Sequence, residues 1–170
     1  HSEDEERLTD RFILINKKKG VSEHERWRDP ISAVLSTKKV IKFAKKHKTK
    51  AHILHISTKE EIALLKSKGK YMTAEVTPQH LTLFSPNCYK KLGTLSQMNP
   101  PIRTKSHQNG LWKGISDGII NVIGSDHAPH TLKEKKRNWP NSPSGMPGVQ
   151  TLLPIMLNHV NSKKISLLKL

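Results

Sequence analysis

Ile119-Ile120-Asn121-Val122-Ile123-Gly124-Ser125-Asp126-His127-Ala128-Pro129-His130 joins a β-branched apolar run to a polar turn carrying one carboxylate and two imidazoles. The run reads as a strand of a parallel sheet, buried on both faces. In an α/β barrel, catalytic groups stand at the C-terminal ends of the strands. An Asp and a His placed there can bind a metal, move a proton and grip an anion. That is the outline of a metal-dependent hydrolase.

The flanking sequence repeats the pattern. Asp29-Pro30 reads as an N-cap and first-turn proline, and Ile31, Val34, Leu35, Ile41 and Phe43-Ala44 carry a helix to about His47. Ala51 to Ile56 is a short apolar strand. Ser57-Thr58-Lys59-Glu60 then reads as a capping box, opening a helix with Ile62, Leu64 and Leu65 that stops at Gly69. Tyr71 to Thr77 is a second strand, ended by Pro78. Leu111-Trp112 and Ile115 mark a helix that stops near Gly118, Ile119 to Ser125 is the third strand, and a last helix follows Gly148. Helices alternating with strands imply an α/β fold with a parallel sheet. Three strands cannot close a barrel, so the pattern fits a small open sheet or part of a barrel.

Bulk properties narrow the class. A chain of 170 residues holds one domain with a real core, whereas a complete (β/α)8 barrel takes about 250. The chain begins with His rather than Met, which suggests a processed or truncated piece. The acidic start reads as no signal peptide. No run approaches the ~18 apolar residues of a membrane span, so no membrane partner is expected. One cysteine, Cys88, excludes an internal disulfide framework and suits a reducing cytoplasm. The formal net charge of +16 invites a nucleic-acid reading, but only six of the 30 basic residues are Arg. Phosphate and base recognition favours the bidentate Arg fork, and aromatics are scarce and not interleaved with the basic runs. Lys17-Lys18-Lys19, Lys45-Lys46 and Lys135-Lys136 therefore read as solvated faces and loops, and no nucleic-acid partner is expected.

Polar ligands cluster where strands end. His55 closes the first strand, Glu75 and Thr77 lie near the end of the second, and Asp126 ends the third. His1, followed by an acidic run and a helix-like segment, fits the end of a further strand. Two imidazoles and a carboxylate converging on one rim suit Zn²⁺ or a similar ion. His52 alternates to the other face and reads as packing rather than ligand. The segment around His24 and Trp27 has no assignable structure, and Cys88 has no base nearby to make it a nucleophile.

Five motifs occur in order: His55-Ile56-Ser57-Thr58-Lys59-Glu60, Ala74-Glu75-Val76-Thr77-Pro78-Gln79-His80, Met98-Asn99-Pro100-Pro101-Ile102-Arg103, Ser125 to His130, and Ser142-Pro143-Ser144-Gly145-Met146-Pro147-Gly148. Together they resemble the dihydroorotases of the amidohydrolase superfamily, from His1 to about Leu157. The resemblance implies residues 1–170 as a single partial domain, the C-terminal portion of a (β/α)8 barrel. His1, His55 and Asp126 would then end its fifth, sixth and eighth strands.

It also implies a pair of Zn²⁺ ions per complete site, with His1 and His55 on one metal and Asp126 on the other. Asp126 serves as base and then acid, while Asn99, His130, Ser144 and Gly145 bind substrate. The implied reaction is the reversible cyclisation of N-carbamoyl-L-aspartate to dihydroorotate in de novo pyrimidine synthesis. Glu75, Thr77 and His80 are expected to support the ligands, and His127 to orient its loop. The family's His-x-His pair, its bridging carboxylate or carboxylated Lys, and its substrate-gripping Arg are absent. The isolated chain is thus expected to be inactive. Competing readings are another cyclic amidohydrolase (hydantoinase, dihydropyrimidinase or allantoinase) and a non-catalytic subunit scaffolding aspartate carbamoyltransferase. A homo-oligomer is a further possible assembly.

Overall fold

The computed structural model describes all 170 residues. Its frame is three short parallel strands in the order β1 (Ala51–Ile53), β2 (Met72–Val76), β3 (Val122–Ile123). Residues Ala51, His52 and Ile53 pair with Met72, Thr73 and Ala74, and Glu75 and Val76 pair with Val122 and Ile123. Around them run α1 (Glu5–Phe12), α2 (Glu23–Trp27), α3 (Pro30–His47), α4 (Lys59–Leu65), α5 (Pro78–Thr82) and α6 (Asn87–Leu92). α7 (Lys105–Ser116), α8 (Leu132–Lys135) and α9 (Leu152–Asn161) complete the set. The alternation of helix and parallel strand is as the sequence predicts. Each strand is shorter than its apolar run, α1 matches the helix-like segment expected after His1, and α2, α5, α6 and α8 are additional.

Helix α3 matches its expected limits because both ends are encoded locally. Asp29 accepts from the Ser32 N–H, Pro30 occupies the first turn, and Lys48 closes the helix at φ 49°. The buried face differs from the one expected. Ala33, Thr37, Ile41 and Ala44 are inside, at i, i+4, i+8 and i+11, while Ile31, Leu35 and Phe43 are exposed. Small residues on the inner stripe let α3 lie close against α4. The capping box is also shifted by one residue, to Thr58 and Glu61. Glu61 is buried and also accepts from Thr37 Oγ1 at 2.8 Å, a tertiary contact that Glu60 cannot make.

The core lies on one side of the sheet. Ile53, Met72, Ala74 and Val76 pack against Ile41 and Ala44 of α3, Ile62 and Leu65 of α4, Leu111 and Ile115 of α7 and Met156 of α9. The third strand is not buried on both faces as expected: Val122 is 41 % exposed. The side bearing His52, Thr73 and Val122 has no element of this chain over it, although parallel sheets are normally covered on both faces. A second, smaller cluster joins Cys88 and Tyr89 of α6 to Met98 and Ile102. Burial pushes the Cys88 thiol up to about 11, so it is no nucleophile.

Candidate metal and substrate site

Four non-glycine residues have positive φ. Lys48 and Lys163 end helices. The other two, His55 at 38° and Asp126 at 43°, follow β1 and β3. Left-handed backbone in non-glycine residues costs energy and tends to mark functional positions. Both predicted strand-end ligands therefore sit in strained turns, at the same end of the sheet.

His1 and His55 are brought together. His1 Nδ1 lies 3.1 Å from His55 Nε2, and the other His1 nitrogen, Nε2, is 3.0 Å from Glu3 Oε2. The Glu3 carboxylate is fully buried and held by Arg28, whose Nη2 approaches to 2.5 Å. A His1 Nε2–H donated to this carboxylate leaves Nδ1 with a lone pair aimed at His55. Burial, and secondly the imidazole of His80, push His55 down to about 4, so it is neutral at pH 7. Two imidazole nitrogens facing one another suit a divalent ion: tetrahedral Zn–N bonds of about 2.0–2.1 Å set ligand nitrogens about 3.3 Å apart. Carboxylate support of a ligating histidine is the usual means of fixing its tautomer. Replacing Glu3 with Gln is expected to weaken metal affinity about 10–100-fold, read by competition with a chelator in the complete protein. An affinity within twofold of the parent would remove Glu3 from this role.

Asp126 does not join that pair. No group of three or more His, Cys, Asp or Glu side chains is gathered tightly enough to hold one ion; the resemblance divides these residues between two ions. The strand order explains it. β2 separates β1 from β3, and neighbouring strands are about 4.8 Å apart, so the two strand ends are about 10 Å from each other. Glu75 of β2 stands on the same side. Burial and the nearby Glu75 charge raise the Asp126 carboxyl above its usual range. A Cβ at Gly124 would come within 2.1 Å of the Glu75 carboxyl carbon, so a larger residue there would push that side chain aside.

The predicted substrate residues meet on the adjacent loops. His130 Nε2 donates to the Ser144 carbonyl at 3.3 Å, and Gln97 Nε2 donates to Ser144 Oγ at 3.1 Å. Gly145 has φ 144°, and a Cβ there would lie 2.7 Å from the Ala128 carbonyl and 3.0 Å from His130 Nε2. His127 accepts from the N–H groups of Gly148 and Val149, holding this loop against the Asp126 turn as expected. Asn99 stands apart from these contacts, against His24: His24 Nε2 is 3.0 Å from Asn99 Oδ1. His80 bonds Thr77 Oγ1 through Nδ1 and the Pro100 carbonyl through Nε2.

Several contributors were not legible in the sequence. Lys135, expected on a solvated face, is 5 % exposed. Its Nζ donates to the carbonyls of Gln97 at 2.8 Å and of Pro143 and Gly145 at 2.9 Å. All three ammonium protons are thereby used, tying the Gln97 segment to the Ser144-Gly145 loop. Burial lowers its pKa to about 8. Glu3 and Arg28 are likewise invisible as a pair in a run of charges. His52, expected to pack, is exposed and bonds Thr73 Oγ1 at 2.7 Å and Glu75 at 3.3 Å.

No protein-family model matches the chain. Curated dihydroorotases do. The one from Methanosarcina mazei is 33 % identical over 180 aligned positions, covering 100 % of this chain and 39 % of that protein. By sequence, this chain is dihydroorotase-like. The dihydroorotase of Anoxybacillus flavithermus is 42 % identical over 124 positions, 69 % of this chain and 28 % of the relative. Among solved structures, the L-hydantoinase (dihydropyrimidinase) of Arthrobacter aurescens superposes with a TM-score of 0.89 at 23 % identity. It is matched over 99 % of this chain and 39 % of its own. That likeness establishes the fold. The dihydroorotase-like chain spans 39 % or less of each of these proteins. None of its helices is long and apolar enough to cross a membrane.

Proposed function

We propose that residues 1–170 form one partial domain, the C-terminal portion of a dihydroorotase barrel, and that the complete protein interconverts N-carbamoyl-L-aspartate and dihydroorotate. The observation that carries this is the facing pair His1 Nδ1 and His55 Nε2, backed by the buried Glu3, in a chain matching dihydroorotases throughout. His1 and His55 would hold one ion and Asp126 a second. Bound divalent ions, Zn²⁺ by ligand type, would lower the pKa of a coordinated water and polarise the amide carbonyl.

The chain's own residues supply the remainder. Asp126 takes the proton released when the ring amide is attacked and returns it to the leaving ring nitrogen, and does the reverse during cyclisation. Its raised pKa brings the protonated form closer to neutral pH. The Ser144-Gly145 backbone, fixed by Lys135, and the His130 imidazole offer polar contacts to an anionic substrate. Asn99 adds a carboxamide. A cytoplasmic enzyme, assembled with itself or with aspartate carbamoyltransferase, completes the reading.

A substrate panel on the complete, metal-loaded protein tests it. Cyclisation of N-carbamoyl-L-aspartate should exceed opening of hydantoin, dihydrouracil or allantoin. Faster opening of any of these would transfer the protein to that enzyme class. Absence of both metal and turnover would make it a non-catalytic subunit.

A further inference from the structure

The imidazole of His24 is completely buried and belongs to none of the ligand pairs described above. Its three contacts fix its protonation. Trp139 Nε1 lies 3.4 Å from His24 Nδ1, and an indole N–H only donates, so Nδ1 is the acceptor. Nε2 then carries the hydrogen and faces two oxygens at 3.0 Å, the Met98 carbonyl and Asn99 Oδ1. Both are acceptors. The opposite tautomer would place a lone pair against two lone pairs on one side and a hydrogen against a hydrogen on the other.

This arrangement also settles the Asn99 carboxamide. Rotating it by half a turn would point its NH₂ at the His24 Nε2–H, donor against donor. With Oδ1 engaged by His24, the Asn99 NH₂ group makes no hydrogen bond to the protein, and the residue is only partly buried. Burial holds His24 down to about 4, so the ring stays neutral and the orientation persists through the physiological range.

We infer that His24 is a positioning residue: it locks the Asn99 carboxamide with its NH₂ toward the substrate, selecting a ligand that presents an oxygen acceptor there. The inference rests on the proposed role of Asn99 in substrate binding. A carboxylate or ring carbonyl satisfies the selection, whereas an N–H edge would meet two donors and lose affinity.

The test uses the complete protein with three variants. Removing the donor in His24→Leu should raise KM for N-carbamoyl-L-aspartate at least tenfold with kcat within threefold. The His24→Gln variant, which keeps an N–H donor, should recover KM to within about threefold. Asn99→Asp, with acceptors only, should lose binding more severely than His24→Leu. Independently of turnover, ¹⁵N spectra of the imidazole should report the Nε2–H tautomer of His24. An Nδ1–H tautomer, or an unchanged KM in His24→Leu, overturns the positioning role while leaving the dihydroorotase reading intact. Failure to process carbamoyl aspartate at all overturns both, whatever the tautomer.

Discussion

Asp126→Asn in the complete protein is expected to lower kcat by about 10²–10⁴ while most of the bound metal remains. The substitution is close to a pure removal of proton affinity. Asparagine is nearly isosteric with aspartate and, like it, tolerates the left-handed region, so the turn at φ 43° is kept. An amide oxygen remains available as a weaker ligand. What disappears is a carboxylate able to receive a proton and release it again. Burial and the adjacent Glu75 charge raise the pKa of that carboxyl, the group we propose as the proton carrier. Metal analysis alongside single-turnover kinetics separates the effects. Turnover within threefold of the parent would end the proton-carrier assignment, and loss of all metal would recast Asp126 as a ligand alone.

The second large effect is on stability toward acid. Burial pushes His24, His55 and His80 down to about 4. In the unfolded chain each titrates near 6.5. The sign follows from linkage: the folded pKa is the lower, so below about 6.5 the unfolded state binds protons that the folded state refuses. Stability contributed by these neutral rings is complete above pH 6.5 and falls progressively toward pH 4. Each histidine costs about 1.4 kcal/mol per pH unit across that window, or about 6 kcal/mol for the three by pH 5. The buried Glu61 acts in the opposite sense. Its raised carboxyl favours folding as pH falls, over a window that lies above the ordinary glutamate range and closes there. Urea midpoints between pH 7.5 and 5 at fixed ionic strength should show the decline. His80→Asn should remove about a third of the slope, and a slope unchanged by that variant would exclude His80 as a source.

Local signals in the sequence were read reliably where the chemistry is local. Asp29 and Pro30 define the start of α3 without help from anything distant, and the limits of that helix follow. The capping box shows where locality ends. Ser57 with Glu60 and Thr58 with Glu61 are equally good by spacing, and the choice is made by Thr37, which bonds Glu61 from another helix. The segment containing His24 and Trp27 is ordered by the same kind of distant contact: Trp27 Nε1 donates to the Leu8 carbonyl and His24 reaches Met98. Nothing within residues 21–28 announces either. Lys135 is the plainest case. A lysine in a run of lysines reads as solvated, and only the convergence of three carbonyls from two other segments makes it interior.

The candidate site divides in the same way. His55 and Asp126 were visible because a strand end is a place that a sequence can specify, and their motifs are distinctive. Their separation across β2 follows from the strand order, which single-sequence patterns do not encode. Glu3 and Arg28 became meaningful only once folding had placed one carboxylate between His1 and a guanidinium.

The sheet leaves one further mark on how this polypeptide behaves in solution. β1 and β3 each have only one neighbour, so each presents a rim of backbone N–H and C=O groups to whatever arrives, and Leu54 and Val122 stand beside those rims partly uncovered. Such borders are templates. In the complete barrel that we propose, further strands would compete for them during synthesis with the borders of other copies. The outcome is decided by timing and concentration as much as by affinity, which makes dilution, low temperature and co-synthesis of the complementary segment the natural conditions for obtaining this unit in soluble form.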